Sequence, residues 1–185
     1  MQEFYVYHVV TERPMELNQI IVFDESHHSG VYERVMAKKE LVEKIYENPN
    51  KYLDLEHHTK VALRELALEK VRQDKYPDYP SRLASLYVST RLEDAISWAD
   101  FFQSLGRPVY QLVKLKVIGN SFTGDAHNCF DGTTNENTNL ELAHHYWENL
   151  PNKKNAEPLM ETIVNGTIEV IEIIKVYQEE NYKKI

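Results

Sequence analysis

Residues 108–117 constrain this chain more than any other stretch. Val109, Gln111, Val113, Leu115 and Val117 fall on one side of an extended chain, and Tyr110, Leu112, Lys114 and Lys116 fall on the other. A period of two over ten residues is the pattern of a strand. Residues 3–10, β-branched and aromatic, read as an opening strand that Thr11 to Pro14 ends, and Ile20, Ile21, Val22 and Phe23 as a second.

From Tyr32 to Lys75 the pattern turns helical. Val31, Val35, Leu41, Val42 and Ile45 sit at helical spacings, Asn48-Pro49-Asn50 marks a break, and Leu55, Ala62, Leu63 and Leu66 define one face of a second helix. Residues 84–89 return to strand. Thr90 and Glu93 have the spacing of a capping box, in front of a helix with Leu92, Ala95, Ile96, Ala99 and Phe102 on one face. Residues 119–139 read as a long polar loop and 140–149 as a short helix. Two β-rich runs, 160–164 and 167–176, flank Asn165-Gly166, a strong signal for a hairpin. This order, with few crossover helices, predicts a single α+β domain over 1–185 with a helical insertion at 31–76.

At 185 residues the chain is long enough to bury about 70 % of its unfolded surface. Net charge is −8, which disfavours nucleic acid as a bulk ligand, since such affinity comes from Lys and Arg on phosphates; the nearest basic patch is Lys183-Lys184. The one cysteine, Cys129, excludes an internal disulfide and a Cys-based zinc site. Neither a signal peptide nor an apolar stretch of about 18 residues is visible. The expectation is a soluble, cytoplasmic protein without a membrane partner.

Three motifs carry the chemistry: Tyr7-His8 on the opening strand; Ser85-Leu86-Tyr87-Val88-Ser89, followed by a helix and a strand ending Gly119-Asn120; and Glu161-Thr162-Ile163-Val164. In this order they resemble the His-Tyr-Glu branch of the ADP-ribosyltransferase superfamily, which includes diphtheria toxin and the poly-ADP-ribose polymerases. The likeness extends to a bacterial family within that superfamily, from which no function carries over. The resemblance implies an ADP-ribosyltransferase-like split pair of small mixed or antiparallel sheets, with NAD as substrate in the cleft between them. His8 would bond the adenosine ribose and nicotinamide region, Tyr87 would stack on the nicotinamide ring, and Glu161 would be the catalytic carboxylate at the nicotinamide ribose. Arg82 and Ser89 complete the expected NAD-binding set, Arg82 as a guanidinium at the cleft edge suited to a pyrophosphate.

These residue types suit the chemistry. Breaking the nicotinamide–ribose bond builds positive charge on the sugar, which a nearby carboxylate stabilises; a planar aromatic holds a planar leaving group, and an imidazole offers a donor and an acceptor. Two departures from the family pattern stand out. Val9 follows His8 where a glycine is usual, and Leu159 lies two before Glu161 where enzymes that modify arginine carry Glu or Gln. Asp125 and Asp131 are alternative acids. The histidine pairs 27–28, 57–58 and 144–145, and the His144/Glu148 spacing, form no recognisable metal set. The acceptor is an unknown protein or small molecule. The alternative function is a non-catalytic binding or interaction module on the same fold.

Overall fold

The computed structural model describes residues 1–178; Lys183 and Lys184 lie outside the described residues. Among the described residues two antiparallel sheets and five α-helices make an α+β fold. The larger sheet has the order β1 (Gln2–Val10), β4 (Gln111–Gly119), β7 (Gly166–Val176), β2 (Ile20–Phe23), and the smaller has the order β3 (Leu86–Val88), β6 (Met160–Val164), β5 (Ser121–Asp125). α1 (Gly30–Met36), α2 (Lys39–Glu47) and α3 (His57–Lys75) fall between β2 and β3, α4 (Leu92–Ser104) follows β3, and α5 (Glu136–Trp147) precedes β6.

The alternation in β4 does what its pattern predicts. Val113, Leu115 and Val117 are fully buried with Val6, Val10, Val88, Val164, Ile168 and Val170, in a core shared by both sheets. Gln111, on the same face, is also buried, and both ends of its amide are satisfied: Oε1 accepts from the Met15 amide at 2.7 Å and Nε2 donates to the Met15 carbonyl at 3.1 Å. Leu112, on the opposite face, meets Ala95 and Ala99 of α4. α3 and α5 pack as a pair, with Leu68, Tyr146 and Trp147 against Phe122 and Ile163 of the smaller sheet.

Several sequence expectations are corrected. Asn165-Gly166 makes no hairpin: β6 belongs to the smaller sheet and β7 to the larger, so the chain changes sheets there. It changes sheets a second time at Gly119-Asn120, between β4 and β5, and the two crossings abut. The Asn165 amide donates to the Asn120 carbonyl at 3.2 Å, and the Asn120 amide donates to Asn165 Oδ1 at 3.0 Å. Both glycines are required. A Cβ on Gly119 would stand 1.9 Å from the Asn165 carbonyl oxygen, and one on Gly166, at φ +90°, 2.2 Å from that of Ile118. Gly119→Ala therefore forces backbone atoms apart, and is expected to cost about 3 kcal/mol or more, read as a fall in Tm of roughly 6–12 °C by calorimetry.

Residues 119–139 are not a loop. They hold β5, a 3-10 turn at Ala126–Asn128 and the first turn of α5, capped by Asn135 accepting from the Thr138 amide at 2.9 Å. The segment is pinned by Asn139, fully buried with bonds to Tyr46, Thr133 and its amide. The helical region 31–76 has a further break at Ala37–Lys38, giving three helices. The Thr90/Glu93 capping box does not form, because α4 starts one residue later, with Arg91 at its N-cap and no side-chain cap bond.

Candidate functional site

β1 and β3 belong to different sheets, yet they touch at one point. Tyr7 and Ser89 exchange two backbone hydrogen bonds of 2.8 Å. That contact sets His8 beside β3, where its Nδ1–H donates to the Tyr87 carbonyl at 2.7 Å. Desolvation pulls the His8 pKa from 6.5 down to about 4, against a smaller upward pull from that carbonyl. At neutral pH the ring is therefore uncharged, with its proton on Nδ1 and Nε2 left as an acceptor.

A cavity of about 620 Å³ opens over this junction. His8, Tyr87, Ser89 and Glu161 all line it, together with Ser85. The expected trio, drawn from β1, β3 and β6, thus shares one space of the size that holds small ligands, roughly 300–1,000 Å³. Tyr87 is 41 % exposed, while the Arg82 guanidinium lies 5.5 Å from its ring centre, within cation–π range. Desolvation raises the Tyr87 hydroxyl above its ordinary pKa even though Arg82 draws it down. Ser85 Oγ is the one buried side-chain polar atom among the described residues without a partner. Leaving a hydroxyl unpaired costs about 1–3 kcal/mol. Ser85→Ala is accordingly expected to raise Tm by roughly 2–12 °C, measured by differential scanning fluorimetry; a fall would show that the hydroxyl supports the fold.

Arg82 does not stand at the cleft edge. Its side chain is 6 % exposed, and it is the hub of a buried network. Nε donates to Glu65 Oε2 at 3.0 Å, Nη1 to Glu161 Oε1 at 2.9 Å and to the Tyr146 hydroxyl oxygen at 2.6 Å. The Tyr146 hydroxyl in turn donates to Glu161 Oε1 at 2.8 Å. Two donors therefore hold one oxygen of Glu161 in place, and Oε2 makes no hydrogen bond to the described residues. Burial raises the Glu65 carboxyl, but Arg82 and Arg64 more than offset it and leave its pKa below the ordinary value.

Glu65 and Tyr146 belong to this arrangement although the sequence did not mark them as site residues. The available signal was on α3: Glu65 stands three residues from both Ala62 and Leu68, on a stripe that is otherwise apolar and is fully buried. Tyr146 anchors α5, fully buried, and its hydroxyl also reaches the site. Asp125 and Asp131 do not line the cavity. Burial pushes the Asp125 carboxyl up, and bonds from His127 and Leu159 amides and Asn152 bring it below its ordinary value, as a tie between loops. His28 stacks on Tyr32 at 3.6 Å and His27 bonds Asp24 at 2.8 Å. Among the described residues no group of three or more His, Cys, Asp or Glu is placed to hold a metal. Nor is any helix there long and apolar enough to cross a membrane.

The fold and site together define an α+β protein with two antiparallel sheets, a ligand-sized cavity at their junction and a buried ion-pair network below it. Residues 6–176 match the family described as "Protein of unknown function (DUF2441)", and the chain belongs to that family. No curated protein matches it.

Proposed function

We propose that this chain is an ADP-ribosyltransferase-like protein that binds NAD in the 620 Å³ cavity and transfers ADP-ribose to an acceptor, or to water. The observation that carries the reading is that His8, Tyr87 and Glu161 line that one cavity. His8 offers an uncharged acceptor to a ribose hydroxyl, and Tyr87 a half-exposed ring face. In the reaction the bond between nicotinamide and the ribose carbon breaks, its electron pair leaving with nicotinamide. The sugar takes up positive charge, which the Glu161 carboxylate stabilises, and the incoming nucleophile bonds to that carbon and gives up its proton to solvent.

A second reading, a binding module without catalysis, draws on the Arg82–Glu161 ion pair, which takes up part of the charge the reaction needs. Calorimetric titration with NAD, alongside assay of nicotinamide release, separates the two. Binding with release supports the enzyme and binding without release supports the module. No binding at millimolar NAD removes both in their NAD form.

A further inference from the structure

Tyr87 also lines a second cavity, of about 200 Å³, which His8 does not line. It is built mainly by α1 and α3 of the helical insertion, with Arg82 and Tyr87 completing it. Arg34 of α1, His57, His58, Arg64 and Glu65 of α3, and Arg82 all face it. Three guanidiniums and two imidazoles therefore meet one carboxylate, in a chain whose net charge is −8. That carboxylate is spent: Glu65 accepts from Arg82 at 3.0 and 3.4 Å and from Arg64 at 2.9 Å. Arg64 uses Nε on Glu65 and Nη1 on the Phe130 carbonyl, which leaves Nη2 unengaged. Arg34 makes no hydrogen bond or ion pair with the described residues, and it lines both cavities.

We propose that this smaller cavity is an oxyanion subsite, which takes a phosphate or carboxylate group of a small molecule between Arg34 and Arg64. The charges favour it: an anion there meets free donors on Arg34 and Arg64, and since Arg82 and Arg64 together balance the Glu65 and Glu161 carboxylates, the Arg34 charge is left unmatched. The space fits it as well, since a water fills about 30 Å³ of liquid and an oxyanion with part of its hydration fits the volume. Because Val31, Arg34 and Tyr87 form walls of both cavities, a ligand with a ring in the larger one can place its anionic end in the smaller. The subsite does not depend on NAD being that ligand.

The test is titration of the full-length ¹⁵N-labelled protein with inorganic phosphate at constant ionic strength, following the His57 and His58 imidazoles and the Arg64 Nε–H by NMR. Saturating shifts at these groups are expected, weakened tenfold or more by Arg34→Ala. Arg34 is exposed and unpaired, so its removal leaves the fold intact. Arg107→Ala, which removes an arginine that lines only the larger cavity, is expected to change the affinity less than twofold. A parallel titration with acetate distinguishes a carboxylate site from a phosphate site, saturation by either supporting the proposal. Shifts that never saturate and match those at exposed Arg91 would overturn it, as would an unchanged affinity in Arg34→Ala. A protein that binds phosphate here but not NAD keeps the subsite and loses the NAD reading.

Discussion

Arg82→Met is expected to cost about 3–5 kcal/mol, a fall in Tm of roughly 6–20 °C. The substitution keeps the volume of the stem and removes the charge on which two carboxylates depend. Glu65, with a side chain 4 % exposed, loses two of its three hydrogen bonds, and Glu161 loses one of the two donors on Oε1. A buried charge stripped of its partner is far more costly than a pair removed together. Arg82→Met combined with Glu65→Leu is therefore expected to recover most of the loss. If the double variant is as unstable as the single, the damage comes from packing instead.

The sign of the pH dependence gives a second readout. In the native protein the Glu65 pKa lies below its unfolded value, because Arg82 and Arg64 outweigh burial. The stability it contributes is complete above the ordinary carboxylate pKa and is lost as pH falls through the lowered one. Without Arg82, burial raises that pKa. The gap between native and Arg82→Met proteins is then expected to narrow on acidification, in urea melts taken from pH 7 to pH 4.5.

Glu161→Gln addresses chemistry with little disturbance of the fold. The amide oxygen can still accept from Arg82 and from the Tyr146 hydroxyl, and Arg82 keeps Glu65 as its counter-ion. The expected stability cost is about 1 kcal/mol. If the proposed reaction is correct, nicotinamide release drops by about 10²–10³-fold, the scale of losing one electrostatic stabiliser of a transition state, and NAD affinity changes only a few-fold. Unchanged release would remove Glu161 from the chemistry. Loss of binding and release together would place its role in the ground state.

Much of this arrangement was legible along the chain. β4 and α4 follow from a period-two and a helical pattern, since each buries a face against its neighbours, and β1 and β2 from β-branched and aromatic runs. The turn at Asn165-Gly166 misled because its chemistry is local and strand pairing is not. Gly166 does take a positive φ, but β6 pairs with β3 and β5 while β7 pairs with β4 and β2. β5 was hidden for another reason: of Ser121, Phe122, Thr123, Gly124 and Asp125, Phe122 alone is a large apolar residue, and Thr123 meets Thr162 through hydroxyls at 2.8 Å. In the site, motif order was enough to bring out His8, Tyr87 and Glu161. The network of residues 65, 82, 146 and 161 was not: apart from a glutamate on the apolar stripe of α3, partners drawn from α3, α5, β6 and the segment before β3 leave no trace in spacing.

The two abutting crossings have a consequence for traffic in and out of the larger cavity. One end of the seam between the sheets is stitched by Asn120 and Asn165, and another point by the Tyr7–Ser89 pair. Swinging the sheets apart like a book would break four hydrogen bonds at once, so the walls bearing His8, Tyr87 and Glu161 act as a fixed frame. Any doorway must lie in the segments that line the cavity without belonging to either sheet, chiefly those carrying Arg13 and Met15 before β2, His28 to Arg34 after it, and α4 with Arg107. A guest would then gain entry by the yielding of a threshold, with the binding surface already shaped before it arrives.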